Sequence, residues 1–534
     1  MNQPNVEKSL FRSASRFFSG TLLSRISGLG REVVMAFCFG AHPAIAAFLV
    51  AFRFANLFRR LGEGGIAQGF IPHFEELRAA SEKSGALFFR DLFYSLALFF
   101  ILFSACVMGI LYGVMHVGYF SSEMNRIFFL TLLMVPGILF ISLYGLCGAL
   151  LQSHGRFFSF AAAPIAANIV WIIALFCLKS LDPYQAVTYL ALSILVAFAV
   201  QWLMTLFPAL SHLKGQLSIE EKIRPQLFSS NVRRMLMPLL FSVVGIAATQ
   251  INSIIDALFA RFASLEGPAH LWYAIRLQQL PLSLFGVALS AALLPALSRA
   301  NSLQYQQLLE RAVVRSVTLI FPITLAILAL GLSSVNLIYG RGHFTLHDTA
   351  ETLLCLWGYG LGLLPSVLIL LIVPAFYAKK EFRTPMIGSI LALALNSCCN
   401  AFFVFCLGWG AFSIAVATSL SSWLNFFFLL SILRKTVTFR MTFILLSSLK
   451  TILCSLVGCA VALVAAHYLG DATLLLLQGE KEVILPRLFS EQLFHFGLLS
   501  LLFFGGTLGS AWIVRADELL ILFHIKKKAA EWLP

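Results

Sequence analysis

"AFLVAFRFANLFRRLGEGGIAQGFIP", residues 47–72, sets Arg53, Arg59, Arg60 and Glu63 between two apolar runs. Its reading depends on what surrounds it. The chain has 534 residues, of which 59% are hydrophobic and only 12% charged. Soluble domains carry about a quarter charged residues, so a soluble fold is excluded. Apolar windows of roughly 20 residues, enough to cross about 30 Å of hydrocarbon, recur along the chain. The quoted stretch is therefore a membrane span with guanidinium groups at depth, and the fold must give them somewhere polar to point.

Working outward from it, the apolar windows predict fourteen spans, beginning near residues 17, 43, 86, 126, 157, 184, 230, 267, 308, 347, 384, 409, 443 and 490. With a cytoplasmic N-terminus, alternate loops collect the basic residues. Lys8, Arg12, Arg16, Arg78, Lys83, Arg90, Lys214, Lys222, Arg224, Arg299, Lys379, Lys380, Arg434, Lys435 and Lys526 to Lys528 fall on that side. Arg126, Lys179, Arg261, Arg341, Lys481 and Arg487 fall on the other. An even number of spans with both termini cytoplasmic follows. The net charge of +14 is thus a topology signal and gives no reason to expect nucleic acid.

Several other classes of chemistry find no support. The ten cysteines lie in apolar segments without a CxxC pair and read as small buried hydrophobes. His42, His73 and His154 sit at span ends without ligand spacing, so no metal is assigned. No G-x-x-x-x-G-K-[ST] loop occurs to hold ATP. The Ser- and Arg-rich start, with Arg25 and Arg31 inside its first apolar stretch, reads as mature sequence and not as a cleaved leader.

Four arginines carry the functional argument. At the centre of a lipid-facing helix each costs about 2.5–3.5 kcal/mol, so Arg25, Arg31, Arg59 and Arg276 together would cost roughly 10–14 kcal/mol. They need a hydrated chamber or counter-charges, and Glu32, Glu63 and Asp256 are the main acids within the spans. Arg25 and Arg31 are six residues apart, roughly 120° around an ideal helix. Gly28 and Gly30 between them permit a bend or local unwinding that would bring both to one side. Asn56, Arg59 and Glu63 share a face, with Arg53 nearby and a helix break expected at "GEGG" (62–65). The plainer alternative pairs Arg59 with Glu63 and Arg31 with Glu32 as ordinary ion pairs. The functional alternative is an anion site, because guanidinium forks match phosphate oxygens and stay charged when partly desolvated.

A weak internal repeat supports a two-part layout. Arg53 and Pro72 share their spacing with Arg276 and Pro295, and "ALLQSHGRF" echoes "AFYAKKEF" at a similar offset. Two six-span halves followed by two extra spans are the reading. Repeats of this kind place a transport site between the halves.

The blocks "SRISGLGREVVMAFCFGA" (24–41), "AFLVAFRFANLFRRLGEGGIAQGFIP" (47–72), "YAIRLQQLPLSLFGVALSAALLPALS" (273–298) and "PAFYAKKEFRTP" (374–385) resemble the lipid II flippases of the MurJ (MviN) family. That family belongs to the multidrug/oligosaccharidyl-lipid/polysaccharide exporter superfamily. The resemblance implies an all-α polytopic membrane protein of fourteen transmembrane helices, two six-helix lobes in a V shape and two C-terminal helices. On this chain the lobes would be residues 1–225 and 226–440, the lipid-groove helices 441–515, and a basic cytoplasmic tail 516–534. It implies a bacterial inner-membrane location and a transporter, not an enzyme. The implied substrate is lipid II, undecaprenyl-pyrophosphate carrying a disaccharide-pentapeptide. The family's cavity arginines match Arg25, Arg31, Arg59 and Arg276.

Two positions depart from the family pattern: Ala46 and Gln279 stand where many members carry an acid, which makes the site more positive. Some members bind sodium, and Asp256, Asn396, Asn400 and Thr418 would supply that set here. Asn396 and Asn400, four residues apart, serve equally well as interhelical hydrogen-bonding groups. The competing functions are a cation-coupled multidrug exporter of the same superfamily, which should carry carboxylates in its cavity, and a scaffold that recruits cell-wall synthesis or division proteins.

Overall fold

The computed structural model describes residues 3–60, 66–218, 220–221, 224–379, 381–437, 439–469 and 485–522. Among these residues every regular element is helical. Among the described residues nine helices are long and apolar enough to cross a membrane, and ten if one bent pair counts as a single span. The chain divides into two compact units, Met1–Leu258 and Phe259–Pro534.

The first unit contains α1 (Gln3–Phe39), α2 (Pro43–Arg60), α3 (Ala67–Ala80), α4 (Glu82–His116), α5 (Ser122–Met134), α6 (Gly137–Ser153), α7 (Phe157–Leu178), α8 (Pro183–His212) and most of α9 (Ser230–Ala263). α5 and α6 are bent by 45° at the residues before Gly137, where Pro136 removes a backbone donor. α8 starts cleanly because Asp182 accepts from the backbone N–H groups of Tyr184 (3.0 Å) and Gln185 (3.2 Å), with Pro183 at the first turn. The interior packs Phe70 and Phe74 of α3 against Phe88 and Phe89 of α4 and Leu146 and Leu150 of α6. α6 approaches α7 closely at Gly148, where an added Cβ would lie 2.2 Å from the Phe160 ring. α4 shows the opposite behaviour. Only 6% of its most apolar window is buried, and Phe99, Ile101, Leu102 and Ile110 face outward. Such a surface suits contact with lipid.

The segment after α8 is clipped back onto α4. Arg90 donates to Asp91 and to the carbonyl of Glu221, and Asp91 in turn accepts from the backbone N–H of Gln226 at 3.0 Å. Ser95 accepts from the N–H of Phe228, whose φ of 52° is in the left-handed region. Lys83 Nζ lies 2.6 Å from Glu221. The hydrogen bond from Lys83, helped by the Ser218 N–H, holds the Glu221 carboxyl down at about 2.

The second unit continues with α10 (Gly267–Pro281), a π-helical turn (Leu282–Gly286), α11 (Val287–Arg299), α12 (Ser302–Tyr339), α13 (Leu346–Gly360), α14 (Leu363–Ala378), α15 (Arg383–Ala401), a second π-helical turn (Phe402–Cys406), α16 (Phe412–Leu433), α17 (Met441–Tyr468), α18 (Phe489–Val514) and α19 (Asp517–Leu522). α12 opens on a capping box formed by Asn301 and Gln304. The α17–α18 hairpin packs on α12 through Ala462, Ala466, Leu499 and Phe503 against Leu325, Ala329 and Leu330. Gly458 permits the close approach within the hairpin, since a Cβ there would stand 2.0 Å from Thr507 Oγ1. Both ends of the hairpin are tied to α12. At one end buried Glu310 accepts from the backbone N–H (2.7 Å) and Nε (3.0 Å) of Arg440. At the other, Gln492 donates to Asn336 Oδ1 (3.3 Å) and accepts from Arg341 Nη1 (2.9 Å).

Candidate functional site: arginines within the helical units

Arg31 is the best-defined member of the set. It lies on α1 and is only 8% exposed. Its Nη1 donates to Asn168 Oδ1 of α7 at 3.0 Å, and its Nη2 donates to Glu32. The guanidinium carbon stands 4.1 Å from the centroid of the Trp171 ring, also on α7. Asn168 is itself oriented, donating to Ser27 Oγ (2.9 Å) and to the Ser24 carbonyl (3.4 Å) of α1. A strongly desolvated cation is thus held by one carboxylate, one amide and one aromatic face, which is how such a charge is tolerated away from water. The adjacent Glu32, 1% exposed, supplies the counter-charge. This half of the plain ion-pair alternative is met.

Arg25 is placed differently. It is exposed, and α1 runs as one uninterrupted helix through Gly28 and Gly30. The local unwinding expected at "ISGLG" is absent, so the six-residue separation leaves Arg25 and Arg31 roughly 120° apart. Nothing crowds these glycines either. An added Cβ at Gly30 meets no atom within 4 Å, and at Gly28 only Asn168 Nδ2 at 3.7 Å.

On α2, Arg53 is buried and donates through Nη1 to the Ser253 carbonyl (2.5 Å) and Oγ (3.3 Å) of α9. It therefore ties these helices together. Asn56 is half-buried, and its Oδ1 has no hydrogen-bond partner among the described residues. α2 continues to Arg60, but the Arg59 side chain and all of Glu63 lie outside the described residues. Ala46 is fully buried in the apolar face of α2.

In the second unit Arg276 is half-buried on α10. Its guanidinium carbon is 4.0 Å from the Trp272 ring centroid, and Nη1 donates to Gln279 Oε1 at 3.2 Å. Gln279 keeps the hydrogen bond an acid would make at that position but contributes no charge.

The oxygen-rich set is split between the units. Asp256 is buried on α9 of the first unit and accepts from Asn252 Nδ2 at 3.3 Å. In the second unit Asn400 donates to Asn396 Oδ1 (2.9 Å), and Asn396 donates to Thr418 Oγ1 (3.2 Å), joining α15 to α16. These three side chains form an interhelical hydrogen-bond chain. Among the described residues no three His, Cys, Asp or Glu side chains come together in a metal-binding group.

Asn168, Trp171 and Trp272 were absent from the sequence-derived set. The first two lie three residues apart in "AANIVWIIA" (166–174) and share the buried face of α7 with Ala167 and Leu175. A lone Asn within such an apolar run, with a Trp on its face, is the signal that would have found them.

The chain matches the family model "Lipid II flippase MurJ" over residues 35–477. A probable lipid II flippase MurJ of Rhizobium tropici is 34% identical over 423 residues, covering 76% of this chain and 77% of the relative. Its counterpart in Chlamydia trachomatis is 33% identical over 434 residues, covering 78% of this chain and 77% of the relative. The fold is similar to a solved lipid II flippase MurJ in an inward closed conformation, with a TM-score of 0.74 at 22% identity, covering 94% of this chain and 99% of that one. It is also similar to an inward-facing multidrug transporter of the MATE family, with a TM-score of 0.62 at 14% identity, covering 79% and 98%. With its apolar helices and this match along most of its length, the chain is a multi-pass membrane protein belonging to the MurJ family of lipid II flippases.

Proposed function

We propose that this protein moves lipid II, the undecaprenyl-pyrophosphate-linked peptidoglycan precursor, from the cytoplasmic to the periplasmic leaflet of a bacterial inner membrane. Fourteen spans with both termini cytoplasmic, two six-helix lobes and a C-terminal pair complete this reading, in which the chain transports and does not catalyse. What supports it is a guanidinium group withdrawn from solvent in each unit of a multi-pass membrane protein, buried Arg31 in one and half-buried Arg276 in the other. Each presents in-plane N–H donors suited to diphosphate oxygens, while a prenyl tail stays in lipid. Arg25, Arg59, Arg53, Asn56 and Glu63 are the other residues that the sequence offers for contact with the headgroup.

The transport step is alternating access. The diphosphate is captured from the inner leaflet, and rocking of the repeats exposes the headgroup outside. Asp256, Asn396, Asn400 and Thr418 are the residues that would hold a sodium ion if transport is ion-coupled, since oxygen donors with one carboxylate suit a hard cation. The multidrug-exporter alternative shares the fold, but a site for cationic drugs needs carboxylates where this chain has arginines.

The test is headgroup exposure in cells that depend on this protein. A headgroup-cleaving enzyme added outside should release product when the wild-type protein is present and release little with Arg31→Ala or Arg276→Ala. Normal release with both variants, alongside lost recruitment of cell-wall proteins, would replace transport with a scaffolding role.

A further inference from the structure

In each unit an arginine stands over an indole at nearly the same distance, 4.1 Å for buried Arg31 on Trp171 and 4.0 Å for half-buried Arg276 on Trp272. The two pairs are built differently. Trp171 reaches Arg31 from another helix, whereas Trp272 lies four residues before Arg276 on α10 itself. A single local sequence pattern therefore does not account for both.

Both indoles are buried. Nε1 of Trp171 has no hydrogen-bond partner among the described residues. A buried, unpaired donor is unfavourable, and a phenylalanine would fill the space without it. What the indole adds over phenyl is a stronger π face toward a cation. The plane of that face is fixed, because Phe52 and Phe48 of α2 meet the Trp171 ring at 71° and 81°, with centroids 4.9 Å and 5.6 Å away.

We infer that Trp171 and Trp272, each within its own unit, are positioning residues for the anion-binding arginines Arg31 and Arg276. Each covers one face of a guanidinium group and excludes water from it. The five N–H donors of arginine lie in the plane of the group, so covering a face leaves all of them able to bind. When diphosphate oxygens replace Asn168 and Glu32 at the edge of Arg31, the indole contact is the one that need not break. The cation thus changes partners without losing its orientation. This rests on the reading that Arg31 and Arg276 meet the diphosphate.

The experiment uses the full-length protein in lipid nanodiscs, with lipid II as the probe and thermal unfolding as a control. Trp171→Phe keeps a π face, whereas Trp171→Met keeps apolar bulk without one. The Phe variant should bind within about threefold of wild type, and the Met variant about tenfold more weakly at a similar melting temperature, the loss of a desolvated cation–π contact. In an Arg31→Ala background Trp171→Met should cause no further loss. Trp272→Phe and Trp272→Met should behave in the same way with Arg276→Ala. Equal binding by the Phe and Met variants, or the same loss from Trp171→Met with Arg31 removed, overturns the inference and leaves the arginine assignment intact. Wild-type binding by Arg31→Ala overturns that assignment itself, and the positioning role falls with it.

Discussion

Asn168 Oδ1 accepts a 3.0 Å hydrogen bond from Nη1 of Arg31, joining α7 to α1 across 137 positions of sequence. The same amide donates to Ser27 Oγ, so one side chain fixes both an arginine and the turn of helix before it.

Replacing Asn168 with Leu leaves Arg31 Nη1 desolvated without that acceptor. A loss of about 1–3 kcal/mol in unfolding free energy is expected, the cost of an unmet buried hydrogen bond. Denaturant or thermal unfolding of the purified protein measures it. Asn168→Asp, which keeps an acceptor and adds a charge beside Glu32, should instead weaken lipid II binding by competing for Arg31. An Asn168→Leu protein as stable as wild type would show that the amide does not hold the arginine.

Gln279→Glu turns a neutral acceptor for Arg276 into an ion pair. Lipid II affinity should fall several-fold as the charge is neutralised, while transport persists because the hydrogen-bond geometry is retained. Arg276→Lys removes the planar fork and should cost more than Gln279→Glu. Headgroup exposure and binding measured side by side separate the two effects.

The connector after α8 has a defined acid limit. The Glu221 carboxyl titrates at about 2 when clipped to Lys83, below an unfolded value of about 4.3. A depressed acid stabilises the clipped form above its unfolded pKa and loses that contribution as pH falls through its folded pKa. Hydrogen-exchange protection of the residues around Glu221, taken relative to the intrinsic rate at each pH, should therefore be unchanged from pH 7 to about 5, then fall progressively toward about pH 2. In Lys83→Met the release should move upward toward about pH 4. Release at the same pH in both proteins would show that Lys83 does not set it.

At Gly458 the C-terminal hairpin is closely packed, and a Cβ would lie 2.5 Å from the backbone oxygen of Phe503 as well as against Thr507. Gly458→Ala must push α17 from α18, at an expected cost of about 1–3 kcal/mol. Cross-linking of cysteines placed across the hairpin reports the separation. An unchanged cross-linking rate and melting temperature would contradict it.

The helical class and the membrane setting are legible because both follow from composition and the length of apolar runs. Arg31 and Arg276 are legible for the same reason, as charges where apolar residues are the rule. The Arg31–Glu32 pair was visible as an adjacency, but its indole and amide partners were not. A Trp in an apolar helix ordinarily serves as filler, and only packing shows which helix it faces. Gly28 and Gly30 misled in the other direction. Glycine permits a bend without requiring one, and α1 keeps its hydrogen-bond ladder through both. The second-unit polar set shows a further limit, since Asn396, Asn400 and Thr418 can bond to one another as readily as to an ion.

Glu310 with Arg440 at one end, and Gln492 with Asn336 and Arg341 at the other, pin the terminal hairpin to α12 like a door panel hung on two hinges of the same post. Parting the hairpin from α12 would break hydrogen bonds at both ends. A lipid chain lying along α17 or α18 would therefore rest on a wall whose attachment runs through α12.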